Sequence, residues 1–274
     1  MHKKWITFVF CLVALNLSIY SAENKIKAVI FDCDGTLVDT EEVLYLAWEH
    51  VLKKRGITLE KDKYWEIINK ESIAGHPQSV PIFSEIAAVM IGQDCSQELL
   101  EEVYTFVLEQ KKKGYPPILD TLNFLHDLAK AKEIEDIKIG LASGNIRRNI
   151  LLHLQSLGVE MHFDAIVSGK DDLQDYNDPE GTNKPKPYVY IQAAKLLGLD
   201  PSDCVAIEDS GIGVRSAASA GCVTIAVPNS GTINDDFSQA DVIVKSFSDI
   251  SVEEFFRIVN YLHDTKNQVL NVKS

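Results

Sequence analysis

The sequence predicts an α/β fold, a doubly wound parallel sheet with a small helical domain inserted after its first strand. Three observations predict it. From Ile118 to Leu262, short apolar runs alternate with stretches of helical period, the pattern of strands joined by helical crossovers. Between Val43 and Lys113 that alternation stops and only helical spacing is present. Small polar and acidic residues also follow successive strand-like runs, at the end where open parallel sheets bind ligands.

Residues 1–22 read as a segment apart from the fold. His2-Lys3-Lys4 precedes a nearly unbroken apolar run from Trp5 to Tyr20, and Ser21-Ala22 are small residues before the charged Glu23, the layout of an export signal. A periplasmic location is expected. Tyr20 is large where cleavage after Ala22 favours a small residue, so an uncleaved membrane anchor is the alternative.

Lys27 to Phe31, rich in β-branched and aromatic residues, is a buried strand that stops at Asp32-Cys33-Asp34-Gly35-Thr36. Asp-Gly is a turn signal because Gly35 takes positive φ at little cost, so the chain doubles back with Asp32 and Asp34 displayed. Two carboxylates on one side of so short a stretch repel unless a cation lies between them or one holds a proton. Asp39 with Glu42 resembles a capping box for a helix whose stripe is Val43, Leu44, Ala47, Trp48, Val51 and Leu52. Helical patterns continue through Tyr64–Ile73, Val80–Ile91 and Gln97–Lys112, which makes 41–115 a helical insert closed by Gly114-Tyr115-Pro116-Pro117.

The alternating part follows. Helices are expected at Leu119–Lys132, Arg147–Leu157, Pro187–Leu197, Val214–Ala220 and Val252–Leu262, and strands at Ile137–Ala142, Ala165–Val167, Cys204–Ile207, Val223–Val227 and Val242–Val244. The α/β core is thus assigned to 25–40 and 116–263, with 264–274 a frayed polar tail.

Composition bounds the partners. A net charge of −13 excludes nucleic acid and anionic membrane surfaces, which need a basic face, and any positive charge for an anionic ligand must be supplied locally. The 274 residues, 46% hydrophobic, suffice for one substantial core and a smaller domain, and a monomer is expected. The five cysteines show no CxxC or Cys/His metal spacing; Cys204 and Cys222 open two apolar runs, which leaves either a bridge or two buried thiols.

Asp32, Asp34, Glu208 and Asp209 offer hard oxygen ligands suited to Mg²⁺, provided the first and fourth strands are neighbours. Ser143-Gly144-Asn145, between a strand and a helix, has the form of an anion site. Lys184, in Asn183-Lys184-Pro185-Lys186-Pro187, is the candidate cation for a bound phosphoryl group, with Lys186 its rival. A carboxylate, a hard cation, a hydroxyl with backbone amides and a lysine are what phosphoryl transfer requires.

These motifs resemble the haloacid dehalogenase superfamily. Its DxDGT segment with a following Asp-Thr is Asp32, Asp34, Gly35, Thr36, Asp39 and Thr40; its Ser or Thr after an apolar strand is Ser143; its KPxP lysine is Lys184; its acidic pair with a glycine-containing loop is Glu208 and Asp209 in the stretch to Gly221. The insert resembles the small cap of the phosphoglycolate phosphatase and β-phosphoglucomutase-like branch, as does Tyr115-Pro116.

The resemblance implies a Rossmann-like core and an aspartyl-phosphate mechanism. Asp32 is then the nucleophile and Asp34 the acid and base, with Ser143, Gly144, Asn145 and Lys184 holding the phosphoryl oxygens. Mg²⁺ would be bound by the Asp32 side chain, the Asp34 backbone carbonyl and Asp209, with Glu208 in direct or water-mediated contact. Dehalogenases of the superfamily carry no acid at the position of Asp34. Leu44 stands where β-phosphoglucomutases place an early histidine, and their arginine-bearing loop is lacking. A phosphatase acting on a small phosphorylated metabolite is therefore expected ahead of a sugar-phosphate mutase or a silent binding protein. Gly75, His76 and Lys111 to Lys113 are the cap features to watch.

Overall fold

The computed structural model describes residues 25–66 and 97–273. The segment expected to direct export, the helical patterns beyond residue 66 and at Val80–Ile91, Gly75, His76 and Cys95 lie outside the described residues.

Six parallel strands form one sheet: β1 (Ala28–Phe31), β2 (Lys138–Ser143), β3 (Ala165–Ser168), β4 (Cys204–Glu208), β5 (Val223–Ala226) and β6 (Val242–Ile243), in the order β3-β2-β1-β4-β5-β6. The first strand is central, between β2 and β4, so the chain runs outward to one edge, returns past β1 and continues to the other. Alternate residues of β1 feed opposite cores, as a pleated strand covered on both faces requires. Val29 and Phe31 pack with Ile139, Leu141, Val205 and Ile207. Ala28 and Ile30 join the second core, with Ala206, Tyr190 and Ala194.

Among the described residues, the helices whose two ends are both described are α1 (Thr40–Lys53), α2 (Gln97–Lys113), α3 (Leu119–Ala131), α4 (Arg147–Leu157), α5 (Tyr188–Leu197), α6 (Gly211–Ala220) and α7 (Val252–Lys273), and residues 61–66 are helical as well. Leucine, phenylalanine and valine from α3, α4 and α7 cover one face, and α5 and α6 the other. The first and second helices share an apolar cluster of their own, with Trp48, Leu52, Leu59, Tyr64, Leu99 and Val103 buried in it.

Two boundaries and one helix cap differ from expectation. The tail expected at 264–274 is helical to Lys273, because α7 meets no glycine or proline and is tied down past its apolar stripe: Lys266 Nζ donates to Cys222 O at 2.6 Å and pairs with Asp241 at 3.0 Å. The helix expected from Val214 starts at Gly211, capped by Ser210 Oγ accepting from the Gly213 N–H. Only half of the capping box forms, since Asp39 accepts from the Glu42 N–H while Glu42 pairs instead with Lys61 at 2.7 Å. Cys204 and Cys222 are buried free thiols. No described helix is long and apolar enough to cross a membrane.

Candidate active site

The site lies at the carboxyl ends of β2, β1 and β4. Parallel register sets Phe31 beside Leu141 and Ile207, so the residues that follow emerge at one level. The Asp32 N–H donates to Ile207 O at 2.9 Å and carries the β1–β4 ladder one residue beyond the strand. Gly35 then turns the chain at φ +84°, and a Cβ there would stand 2.2 Å from Asp209 Oδ2. Only glycine fits that turn against the Asp209 carboxylate.

Asp32, Glu208 and Asp209 are all buried, and each offers an oxygen within 4.8 Å of the others. Lys184 answers their charge. Its Nζ lies 2.5 Å from Asp32 Oδ1 and 2.6 Å from Glu208 Oε1, and donates to Ala142 O at 3.1 Å. Burial opposes the ammonium, but Asp32 and Glu208 outweigh it and hold Lys184 above the ordinary lysine range. Burial pushes the Asp32 carboxyl well up against the pull of Lys184, with Glu208 and Asp34 adding to the rise. Burial, then Asp32 and Glu208, raise Asp209 in the same way.

This donor set fits a hard divalent cation. Three buried carboxylates face one ammonium, and oxygen donors are what such cations take. Among the described residues, Asp32 Oδ2 and Asp209 Oδ1 stay outside the hydrogen bonds that hold their partner oxygens. Glu208 is more fully occupied, with Oε1 accepting from Lys184 and Tyr190 and Oε2 from Ser210.

The Asp34 side chain is not in this cluster. Its Oδ2 accepts from Ser143 Oγ at 3.2 Å and from Asn145 Nδ2 at 3.2 Å, and its Oδ1 lies 3.7 Å from His153 Nε2. The Asp34 carboxylate is therefore not one of the three clustered acids. The two acids part because the chain ceases to be extended after Phe31. Asn145 N–H in turn donates to Ser143 Oγ at 3.0 Å, and Gly144 is exposed between them. Lys186 is occupied elsewhere, with Asp178 and Glu180 at 3.3 and 2.5 Å.

Four further residues border the site. Tyr190 OH donates to Glu208 at 2.6 Å and its ring lies 5.1 Å from Lys184 Nζ; the residue reads as core because it shares the apolar stripe of α5. Asn229 Nδ2 donates to Asp209 Oδ2 at 2.9 Å and to Gly35 O at 3.2 Å. It follows β5, so the inspection of strand ends that picked out Ser143 applies to it equally. Asn149 and His153 continue the helical stripe that starts at Asn145, at intervals of four residues. His153 is buried and stacks on Tyr115, ring centroids 4.8 Å apart.

A profile of the haloacid dehalogenase-like hydrolases matches residues 26–221. The chain is 31% identical over 238 residues to β-phosphoglucomutase of Bacillus subtilis, covering 83% of this chain and 92% of that protein. It is 29% identical over 195 residues to a phosphorylated carbohydrates phosphatase of Thermotoga maritima, covering 71% and 82%. Among solved structures, a haloacid dehalogenase family hydrolase of Deinococcus radiodurans with bound phosphate and sodium superposes with TM-score 0.66 at 23% identity, over 86% of this chain and 98% of that one. CbbY of Rhodobacter sphaeroides in complex with phosphate gives 0.54 at 22%, over 84% and 98%, which supports the fold. The chain belongs to the haloacid dehalogenase-like hydrolases.

Proposed function

We propose that the protein is a phosphatase of small phosphorylated metabolites that works through a phospho-Asp32 intermediate. The observation that carries this reading is the division between the two aspartates: Asp32 sits with Lys184 in the buried acidic cluster, while Asp34 sits with Ser143 and Asn145. An Asp32 oxygen bonds to phosphorus as the ester P–O bond breaks, and Asp34 gives its proton to the departing alcohol oxygen. Asp34 then takes a proton from water as the water oxygen bonds to phosphorus, and Asp32 leaves as a carboxylate with inorganic phosphate released. Ser143 Oγ, the Gly144 and Asn145 amides and Lys184 hold the phosphoryl oxygens.

Asp32, Asp209, the Asp34 backbone carbonyl and Glu208 would hold Mg²⁺, which when bound neutralises charge on the phosphoryl oxygens. Lys184 opposes the burial that raises the Asp32 carboxyl, and a bound cation would act in the same direction.

Water is preferred to a sugar hydroxyl as the second acceptor. Leu44 packs against the apolar cluster of α1 and α2, and Arg55 is held by Glu102 at 2.6 Å, so neither is set to grip a distal phosphate. We place the mature chain outside the cytoplasm, on the strength of Lys3-Lys4 and the apolar run that follows.

Phosphate release from a panel of phosphorylated metabolites, by the wild-type protein and by Asp32→Asn, tests the reading. Release is expected from the wild type and not from the folded variant; near-normal release by Asp32→Asn overturns it.

A further inference from the structure

Lys111 stands in the last turn of α2 and reaches from the helical insert to the core. Its Nζ donates to Asn149 Oδ1 at 2.5 Å, Asn149 Nδ2 donates to Asn145 Oδ1 at 2.8 Å, and Asn145 Nδ2 donates to Asp34 Oδ2 at 3.2 Å. Three hydrogen bonds through two neutral amides thus join an ammonium of the insert to the carboxylate that meets the leaving oxygen.

Lys111 differs from Lys184, Arg147 and Lys186. Lys184 is matched by Asp32 and Glu208, Arg147 by Asp172, and Lys186 by Asp178 and Glu180. Lys111 is half-buried, and its partner is an uncharged amide; among the described residues no carboxylate pairs with it. Burial pushes its ammonium below the ordinary lysine range, with Asp34 pulling the other way and Arg148 adding to the push. A partly desolvated cation held by one neutral acceptor is completed by an anion.

We propose that Lys111 is a specificity-determining residue that receives an anionic substituent of the leaving group, so that the substrate is a phosphomonoester whose alcohol carries a second anion, a carboxylate or a further phosphate. This rests on the phosphatase reading, in which Asp34 faces the leaving oxygen; a group tied to Asp34 from the insert meets the alcohol and not the transferred phosphoryl group. Asn149 uses one of the three ammonium donors and leaves two for the incoming anion. Asn145 and Asn149 position Lys111, while Ser143 and Lys184 serve the phosphoryl group.

Two matched pairs of esters test the proposal: phosphoglycolate against hydroxyethyl phosphate for a carboxylate, and glucose 1,6-bisphosphate against glucose 1-phosphate for a second phosphate. The readout is the ratio of kcat/KM within each pair, for wild type, Lys111→Met and Lys111→Arg. The wild type is expected to prefer the anionic member of one pair. Lys111→Met should lower that ratio about tenfold or more, chiefly through KM, the size of a charged hydrogen bond, and Lys111→Arg should restore most of it. The affected pair identifies the anion. A ratio unchanged in Lys111→Met, an equal loss for both members of a pair, or no wild-type preference overturns the proposal.

Calorimetric binding of the same four compounds to Asp32→Asn, with and without Lys111→Met, gives the ratio without turnover. Discrimination that persists without Lys111 overturns the proposal there too, and its loss supports it. Near-normal phosphate release by Asp32→Asn instead overturns the phospho-Asp32 mechanism, so the two failures are told apart.

Discussion

Asp32 and Asp34 are identical side chains two residues apart, and their surroundings differ. Asp32 is buried against Lys184, whereas Asp34 has a hydroxyl and an amide as partners. Asp34→Asn is therefore expected to keep the fold and the metal, and to lower kcat by about 10² to 10⁴-fold, the usual worth of a positioned proton donor; steady-state rates against Mg²⁺ titrations check both parts. Glu41 is a half-buried acid on α1 beside the site, outside the cluster of Asp32, Glu208 and Asp209. Burial, with Asp39 and Asp34 adding to it, raises its carboxyl from the ordinary 4.5 to about 7. A carboxyl raised on folding contributes stability that is present below pH 4.5 and lost as pH climbs through 7. Glu41→Gln should remove that loss, gaining up to about 3 kcal/mol at pH 8 and almost nothing at pH 4, as chemical denaturation at the two pH values will measure. The aspartates and Ser143 stood out by residue type and position after a strand, and Lys184 by the Asn183-Lys184-Pro185-Lys186-Pro187 stretch. Lys184 and Lys186 were not separable by sequence, because both follow Asn183 within one turn-rich stretch, and only packing shows which one points inward.

Elements with a strong period were plain in the chain, and those that answer to distant contacts were not. The apolar stripes of α1 and α4 and the runs of β1, β4 and β5 were assigned almost to the residue. The first turn of α6 was missed because Gly211 and Gly213 disfavour helix. Gly213 is there for space, since a Cβ would stand 2.0 Å from Glu208 Oε2, and the Ser210 cap offsets its cost. The length of α7 was likewise hidden, because its polar end is held by groups on the loop before β5 and the turn before β6. Lys266→Met should cost about 1 kcal/mol in urea denaturation, having lost a buried carbonyl partner and an ion pair. No change in the midpoint would mean that α7 holds through its apolar stripe alone.

The molecule as a whole assembles the site by strand order. Asp32 and Glu208 are 176 residues apart by number, 208 less 32, yet the pairing of β1 with β4 makes their carboxylates neighbours. Alternating strands and helices made the sheet predictable, whereas the central place of β1, beside β4, comes from packing. Gathering three buried acids in a chain of net charge −13 stores repulsion that a cation relieves. Mg²⁺ should accordingly raise the unfolding midpoint, by an amount equivalent to about 2.7 kcal/mol at a hundred times Kd, and Asp209→Ala should abolish the increment while changing the metal-free midpoint far less. The most direct test concerns Asp32 itself. Wild-type protein turning over a phosphate ester from the panel is quenched in acid, digested at low pH and weighed by mass spectrometry. A phosphoryl group on the peptide that contains Asp32, absent from the Asp32→Asn digest, is the result expected; continued turnover with no phosphoryl group on that peptide, and phosphate release surviving in Asp32→Asn, would contradict the account.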